Sequence, residues 1–175
     1  DGRLKHCSHM AGVHPDYRDQ GVGYSLKLAQ REHVLAQGLD LITWTFDPLE
    51  TRNAHLNFHK LGVTCNTYIR NLYGPMRGAI NAGLPSDRLE VAWWIRSQQV
   101  MGRLQGGVIS PASDHLLIEV PANFQSIKAT DMALALRWRL ATRQLFEDAF
   151  AQGYIAADLV KHGGGLAYVL ERPAA

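Results

Sequence analysis

The sequence predicts an α/β (α+β) protein built on a mixed, partly parallel twisted sheet flanked by helices. Three observations carry that expectation. A strand-like run over 4–13, a helical run over 22–37 and a second strand over 39–46 follow one another as a βαβ crossover does, which makes the two strands parallel. Further short runs of β-formers over 68–72, 89–95, 116–120 and 154–170 are separated by Gly- and Pro-rich turns. A long periodic helix over 131–152 supplies a layer to cover the sheet. With 175 residues, 46% of them hydrophobic and 19% charged, the chain has the material for a core of its own.

Taken in order, residues 4–13 form an imperfectly alternating strand in which Cys7, His9, Ala11 and Val13 share one face and Gly12 marks a bulge or a close approach. The helix over 22–37 stops at Gly38. Its apolar face is expected at Val22, Leu26, Leu28, Ala29, Leu35 and Ala36, with Lys27, Gln30 and Arg31 on the other side. Leu39 to Phe46 is rich in β-formers and ends at Asp47-Pro48. A second helix runs from Thr51 to Leu61 before Gly62. Strands over 68–72 and 89–95 are separated by a short helical piece over 76–81 and the turn Gly83-Leu84-Pro85. Trp93 and Trp94 point to opposite faces, so one covers the core and the other a ligand or partner.

Residues 97–115 read as irregular connection. A strand over 116–120 follows, then the helix over 131–152, with an expected stripe of Leu134, Trp138, Ala141, Leu145 and Ala149 widened by Leu136 and Leu140. The tail, with Gly163-Gly164-Gly165 at its centre, is a closing hairpin. The organisation expected is therefore a core over 1–96, a connection over 97–115 and a C-terminal α/β extension over 116–175.

A formal charge of +2 calls for neither nucleic acid nor an anionic membrane as partner. Two cysteines without Cys-x-x-Cys spacing suggest neither a disulfide framework nor a metal site, and a reducing, cytoplasmic setting fits them. No apolar run approaches the ~20 residues that span a bilayer. The opening Asp1-Gly2 is a turn signal leading directly into a strand, without an initiator Met, and reads as a sequence lacking its natural N-terminal part.

The stretch with the most chemistry is Val13 to Gly23. Two glycines one residue apart, where strand gives way to helix, let backbone approach a bulky ligand. The first helical turn then offers unpaired N–H groups and the positive end of the helix dipole to a phosphate or pyrophosphate. Arg18 adds a fork of charged donors.

Val13-x-Pro15-x-x-Arg18-x-x-Gly21-Val22-Gly23, with its preceding strand and the later Lys60-Leu61-Gly62, resembles the acyl-CoA-binding motif of the GNAT superfamily of N-acetyltransferases over about residues 1–72. The resemblance implies a GNAT-like core lacking its N-terminal strands. It implies that the first strand splays from its neighbour, with Ala11, Gly12 and Val13 giving backbone contacts to pantetheine. Arg18, Asp19, Gln20, Gly21, Val22 and Gly23 would hold the pyrophosphate. In the next helix many relatives carry Asn at the position of Thr51 and Tyr at that of Phe58. Asn53 and Asn57 are candidates to replace the first; no hydroxyl replaces the second, which leaves the acid that reprotonates the CoA thiolate unassigned.

Direct attack of an amine on a thioester needs a base, and a neutral imidazole suits that role. His9 is the catalytic candidate for that role and His6, on the opposite face, a weaker one; His59, beside the absent Tyr, reads either as an acid or as a solvated helix residue. Arg139 and Arg143, at i and i+4 with Arg137 nearby, read either as a solvated face or as a clamp for a carboxylate. Leu41 to Pro48, Arg52-Asn53-Ala54 and Leu84-Pro85-Ser86-Asp87-Arg88 resemble a branch of the superfamily some of whose members are associated with N-succinylation of amino acids. The expected function is transfer of an acetyl or succinyl group from acetyl-CoA, succinyl-CoA or another acyl-CoA to a small primary amine. The alternative is a binding module for CoA or a nucleotide without chemistry. A homo-oligomer is compatible with either, and an unpaired first strand is expected to pair outside the sequence or with the C-terminal strands.

Overall fold

The computed structural model describes residues 2–74, 83–107 and 114–173. It is an α+β fold with one mixed seven-stranded sheet. The strands are β1 (His6–Cys7), β2 (Leu41–Phe46), β3 (Thr64–Ile69), β4 (Arg88–Trp94), β5 (His115–Val120), β6 (Ile155–His162) and β7 (Gly165–Glu171), in the order β1-β2-β4-β3-β6-β7-β5. The helices are α1 (Val22–Ala36), α2 (Thr51–Ala54), α3 (Gln98–Leu104), α4 (Phe124–Thr130) and α5 (Met132–Ala151), and α2 continues as a π-helical segment, His55–Lys60. The helical piece expected over 76–81 lies outside the described residues.

The parallel pair is β1 with β2, and every other pairing is antiparallel. The expected ten-residue first strand is in fact two residues long, its pairing extended only by Ser8 N–H donating to Thr43 O at 2.9 Å. With β2 as its one sheet neighbour, the backbone beyond Ser8 has no second ladder to hold it flat. Nor do the C-terminal strands pair with β1, since they join the sheet on the far side through Cys65 opposite Ala156. Other boundaries move too. Strand β3 begins at Thr64 rather than near Tyr68, α3 stands within the stretch expected to be irregular, and α4, with Asn123 accepting from Ser126 N–H at its start, precedes α5.

The core is one continuous cluster. Trp44 and Trp93 meet edge to face at 6.0 Å between centroids, and Phe58 and Phe146 pack on Tyr168 at 5.5 and 5.0 Å. Trp93 Nε1 donates to Leu61 O and Tyr168 OH to Pro48 O, so these two buried polar handles are satisfied. Trp94 is half-buried, with the Arg3 guanidinium 5.1 Å from its ring.

In the two long helices the fully buried positions are not leucines. The buried positions of α1 are Lys27 and Val34, while Leu26 is 47% exposed. Arg31 Nε donates to Ile95 O, so long polar side chains lay their stems on the sheet and satisfy their heads locally. Helix α5 buries Ala135, Arg139, Thr142, Phe146 and Ala149, and Leu136, Leu140 and Leu145 face outward.

Candidate functional site

Beyond Ser8 the parallel pair parts. Ala11, Gly12 and Val13 on one side and Trp44, Thr45 and Phe46 of β2 on the other become walls of a cleft of about 1150 Å³. That is larger than the roughly 300–1,000 Å³ of most small-molecule pockets. The N-terminus of α1 forms part of the same wall, through Gly21, Val22, Gly23 and Tyr24.

Local sequence explains that terminus. A 3-10 turn, Pro15–Tyr17, leads to Asp19 and Gly21, both at positive φ, 62° and 79°. Gly21 is the N-cap and offers no side chain to the first turn, whose earliest internal bond is Ser25 N–H to Gly21 O at 3.0 Å. The N–H groups of Val22, Gly23 and Tyr24 precede that bond, so the turn keeps its donors for a ligand. Crowding does not require either glycine. A Cβ on Gly21 would meet no atom within 4 Å, and on Gly23 only ordinary contacts with Leu56 and Val13. At Gly21 it is the positive φ that selects glycine. Arg18 Nε donates to Val13 O at 3.2 Å, which ties the loop to the strand before it.

The residues singled out in the sequence converge here. His9, Ala11, Gly12, Val13, Arg18, Asp19, Gly21, Val22, Gly23, Asn53 and Asn57 all line the cleft. Gln20 does not; its Nε2 turns back to donate to Asp16 O at 2.9 Å. Asp19 takes an ion pair from Arg52 of α2, which compensates a carboxylate just before the N-terminus of α1. Thr51 is turned away, its hydroxyl donating to Ala122 O. Phe58 is fully buried against Phe46 and Tyr168, so its ring belongs to the core.

His59, its side chain 33% exposed, is not on the cleft wall. Its Nδ1 lies 3.1 Å from Asp158, whose other oxygen pairs with buried Arg103. His55 does line the cleft, stacked on His59 at 4.8 Å. Burial, and then the neighbouring His59 and Lys60, hold the His55 pKa below the usual imidazole range, with Asp158 opposing them. Lys27 was expected on the solvent side and is instead in the cleft wall. Its Nζ donates to Ser8 Oγ and Gln30 Oε1 and sits over the Trp44 ring. Burial brings its pKa down to about 8. No sequence signal marks it, since lysine on a helix is ordinarily a solvated residue.

A smaller recess of about 360 Å³ shares Thr45, Phe46, Glu50 and Asn53 with the cleft. Its other walls carry Arg88, Lys128, Arg139, Asp47 and Gln125, a mixture of both signs of charge. Arg139 is buried and grips Asp47 with two bonds, at 2.9 and 2.6 Å. Arg143 grips Asp87 likewise, at 2.8 and 2.9 Å. These arginines are thus neither a solvated face nor an open clamp, because internal carboxylates already fill their forks.

Comparison with protein-family models, with curated proteins and with solved structures finds no match to the chain. The functional reading therefore stands on geometry. Among the described residues no cluster of His, Cys, Asp and Glu could hold a metal ion, and no helix is long and apolar enough to cross a membrane. Cys7 is exposed, and Cys65 is buried with its thiol pushed up to about 12 by burial, which leaves it inert.

Proposed function

We propose that the chain is an acyl-CoA-dependent N-acyltransferase of the GNAT type, passing an acetyl or succinyl group to the primary amine of a small, amino-acid-like molecule. The observation that carries this reading is the parting of a parallel strand pair onto a glycine-capped, side-chain-free helix N-terminus. A bound acyl-CoA would supply an activated acyl carbonyl. Among the described residues the backbone of Ala11, Gly12 and Val13 has no sheet partner, and it is suited to pair with an extended amide-bearing arm. The first-turn N–H groups of α1, with Arg18, suit a pyrophosphate. An amine entering by the polar recess would reach the cleft beside Glu50 and Asn53. His9 is the base for that amine, and His55, kept neutral near pH 7 by its surroundings, is a second imidazole able to take its proton.

One observation favours a module that binds CoA or a nucleotide without chemistry: the buried Phe58 brings no hydroxyl to the cleft to reprotonate a thiolate. Incubation with acetyl-CoA or succinyl-CoA and a panel of amines separates the two, with free thiol as the readout. Amine-dependent thiol release is expected; CoA binding without release would establish the module instead. Calorimetry should show CoA affinity about tenfold weaker in Arg18→Ala, the scale of one charge-assisted hydrogen bond. His9→Ala should lower turnover and leave CoA affinity in place. Absence of CoA binding to the unaltered chain would overturn the acyltransferase reading, and absence of binding to both CoA and nucleotides would overturn the module as well.

A further inference from the structure

Lys27 is a buried, charged residue of the cleft wall to which the reading above gives no task. It stands six positions after Gly21 on α1. At ~1.5 Å per residue that is about 9 Å along the helix from the anion-binding turn. The residue is only 7% exposed, yet it forms part of the cleft wall. Nζ donates to Ser8 Oγ at 2.9 Å and to Gln30 Oε1 at 3.1 Å, and lies 3.6 Å from the centroid of Trp44. All three partners are neutral. Among the described residues no carboxylate bonds or pairs with Lys27.

A lysine buried for structural reasons is normally paired with a carboxylate, because an uncompensated ammonium is costly to desolvate. Desolvation without a counter-ion has another use, which is to make the amine nucleophilic. The location fits that use. Ser8 is the last residue to bond across the parallel pair, and Trp44 is the first residue of β2 beyond its last bond to that strand. Lys27 thus sits at the apex of the opening, where an arm laid along Ala11 to Val13 would end.

We propose that Lys27 is an internal acyl acceptor, its amine taking the acyl group from a thioester held in the cleft to give an Nε-acyl-lysine. The inference rests on the acyl-CoA reading above. The Nζ lone pair adds to the thioester carbonyl carbon. The C–S bond breaks with its electron pair leaving on sulfur, and the proton lost from nitrogen ends on that sulfur as the free thiol. No other reactant is consumed. The depressed pKa of Lys27 supports the step, since an amine with a pKa of about 8 is neutral in roughly a tenth of molecules at pH 7. The product amide has no charge to offer Trp44 and leaves an acyl chain in the cleft, so the modification blocks the site that produced it.

The test is peptide mapping by mass spectrometry after incubating the full chain with acetyl-CoA and no amine. A parallel arm uses an acetyl N-hydroxysuccinimide ester, an acyl donor without the nucleotide, and CoA binding is measured by calorimetry on the same sample. Expected is acetylation of Lys27 by acetyl-CoA about tenfold or more faster than of Lys60, which lines the same cleft, or of exposed Lys161. The preference over Lys60 should shrink with the ester. Lys27→Arg, which keeps the cation, should bind CoA and show no acetylation at that position. CoA binding with Lys27 unmodified, or with Lys60 modified first, overturns the proposal alone. No CoA binding overturns the acyl-CoA reading and the proposal together. Should Lys27→Arg fail to fold, the site mapping on the unaltered chain decides the matter by itself.

Discussion

At the scale of single residues, the buried ionisable groups divide into paired and unpaired ones, and both kinds make stability rise with pH, in different windows and for different reasons. Burial tends to raise the Asp87 carboxyl, but donors from Arg143, the Asn71 N–H and the Tyr68 hydroxyl outweigh it and hold the group below the usual carboxylate range. A carboxylate depressed in the folded state contributes stability above its unfolded pKa of about 4 and loses it as pH falls through the folded pKa. Asp87→Ala should therefore cost about 3–5 kcal/mol at pH 7, as expected when a buried ion pair loses one member. The difference from the unaltered chain, read from urea melts, should close in acid. Lys27 has the same sign in a higher window, but through a charged form that the fold disfavours, where the fold favours that of Asp87. Its ammonium is disfavoured in the folded state, so between about pH 8 and 10.5 the unfolded chain holds the extra proton and stability rises with pH. Lys27→Met should flatten that rise. A urea midpoint with the same pH slope in both proteins over this window would show that Lys27 is not desolvated.

At the scale of elements, the α1 N-terminus depends on one backbone conformation. Gly21 holds φ at 79° with open space where a side chain would stand. Gly21→Ala should thus cost about 1–3 kcal/mol through left-handed strain alone, not through a clash. Circular dichroism melts would measure the loss, and a neutral substitution would mean the loop relaxes to another turn. This element was legible in the sequence because a proline, two glycines and a helix start act locally. The packing faces of α1 and α5 were not. Several of their leucines stay exposed, whereas the buried positions include Lys27 in one case and Arg139 in the other. Long polar side chains pack well when partners for their heads wait on the sheet, and those partners, Trp44 for Lys27 and Asp47 for Arg139, come from distant sequence.

At the scale of the whole molecule, β6, β7 and β5 extend the same sheet that bears the cleft, and Tyr168 of β7 packs on Phe58 of the π-helical segment and Phe146 of α5. Arg103 of the cleft wall pairs with Asp158 of β6. Unfolding should therefore be a single transition, coincident by tryptophan fluorescence and far-UV circular dichroism. Two separated transitions would show that the C-terminal strands fold apart. The α+β class, the crossover of β1 into β2 and the glycine-capped turn were determined by the sequence itself, since hydrophobic period and turn chemistry act over a few residues. Only the tertiary structure decided the rest: that the first strand parts from its neighbour after Ser8, that Arg139 and Arg143 spend their forks on internal aspartates, that Phe58 is core, and that an unpaired lysine lies at the apex of the cleft. Each of those depends on which groups meet across long separations in the chain, and burial and charge pairing settle that only when the sheet is assembled.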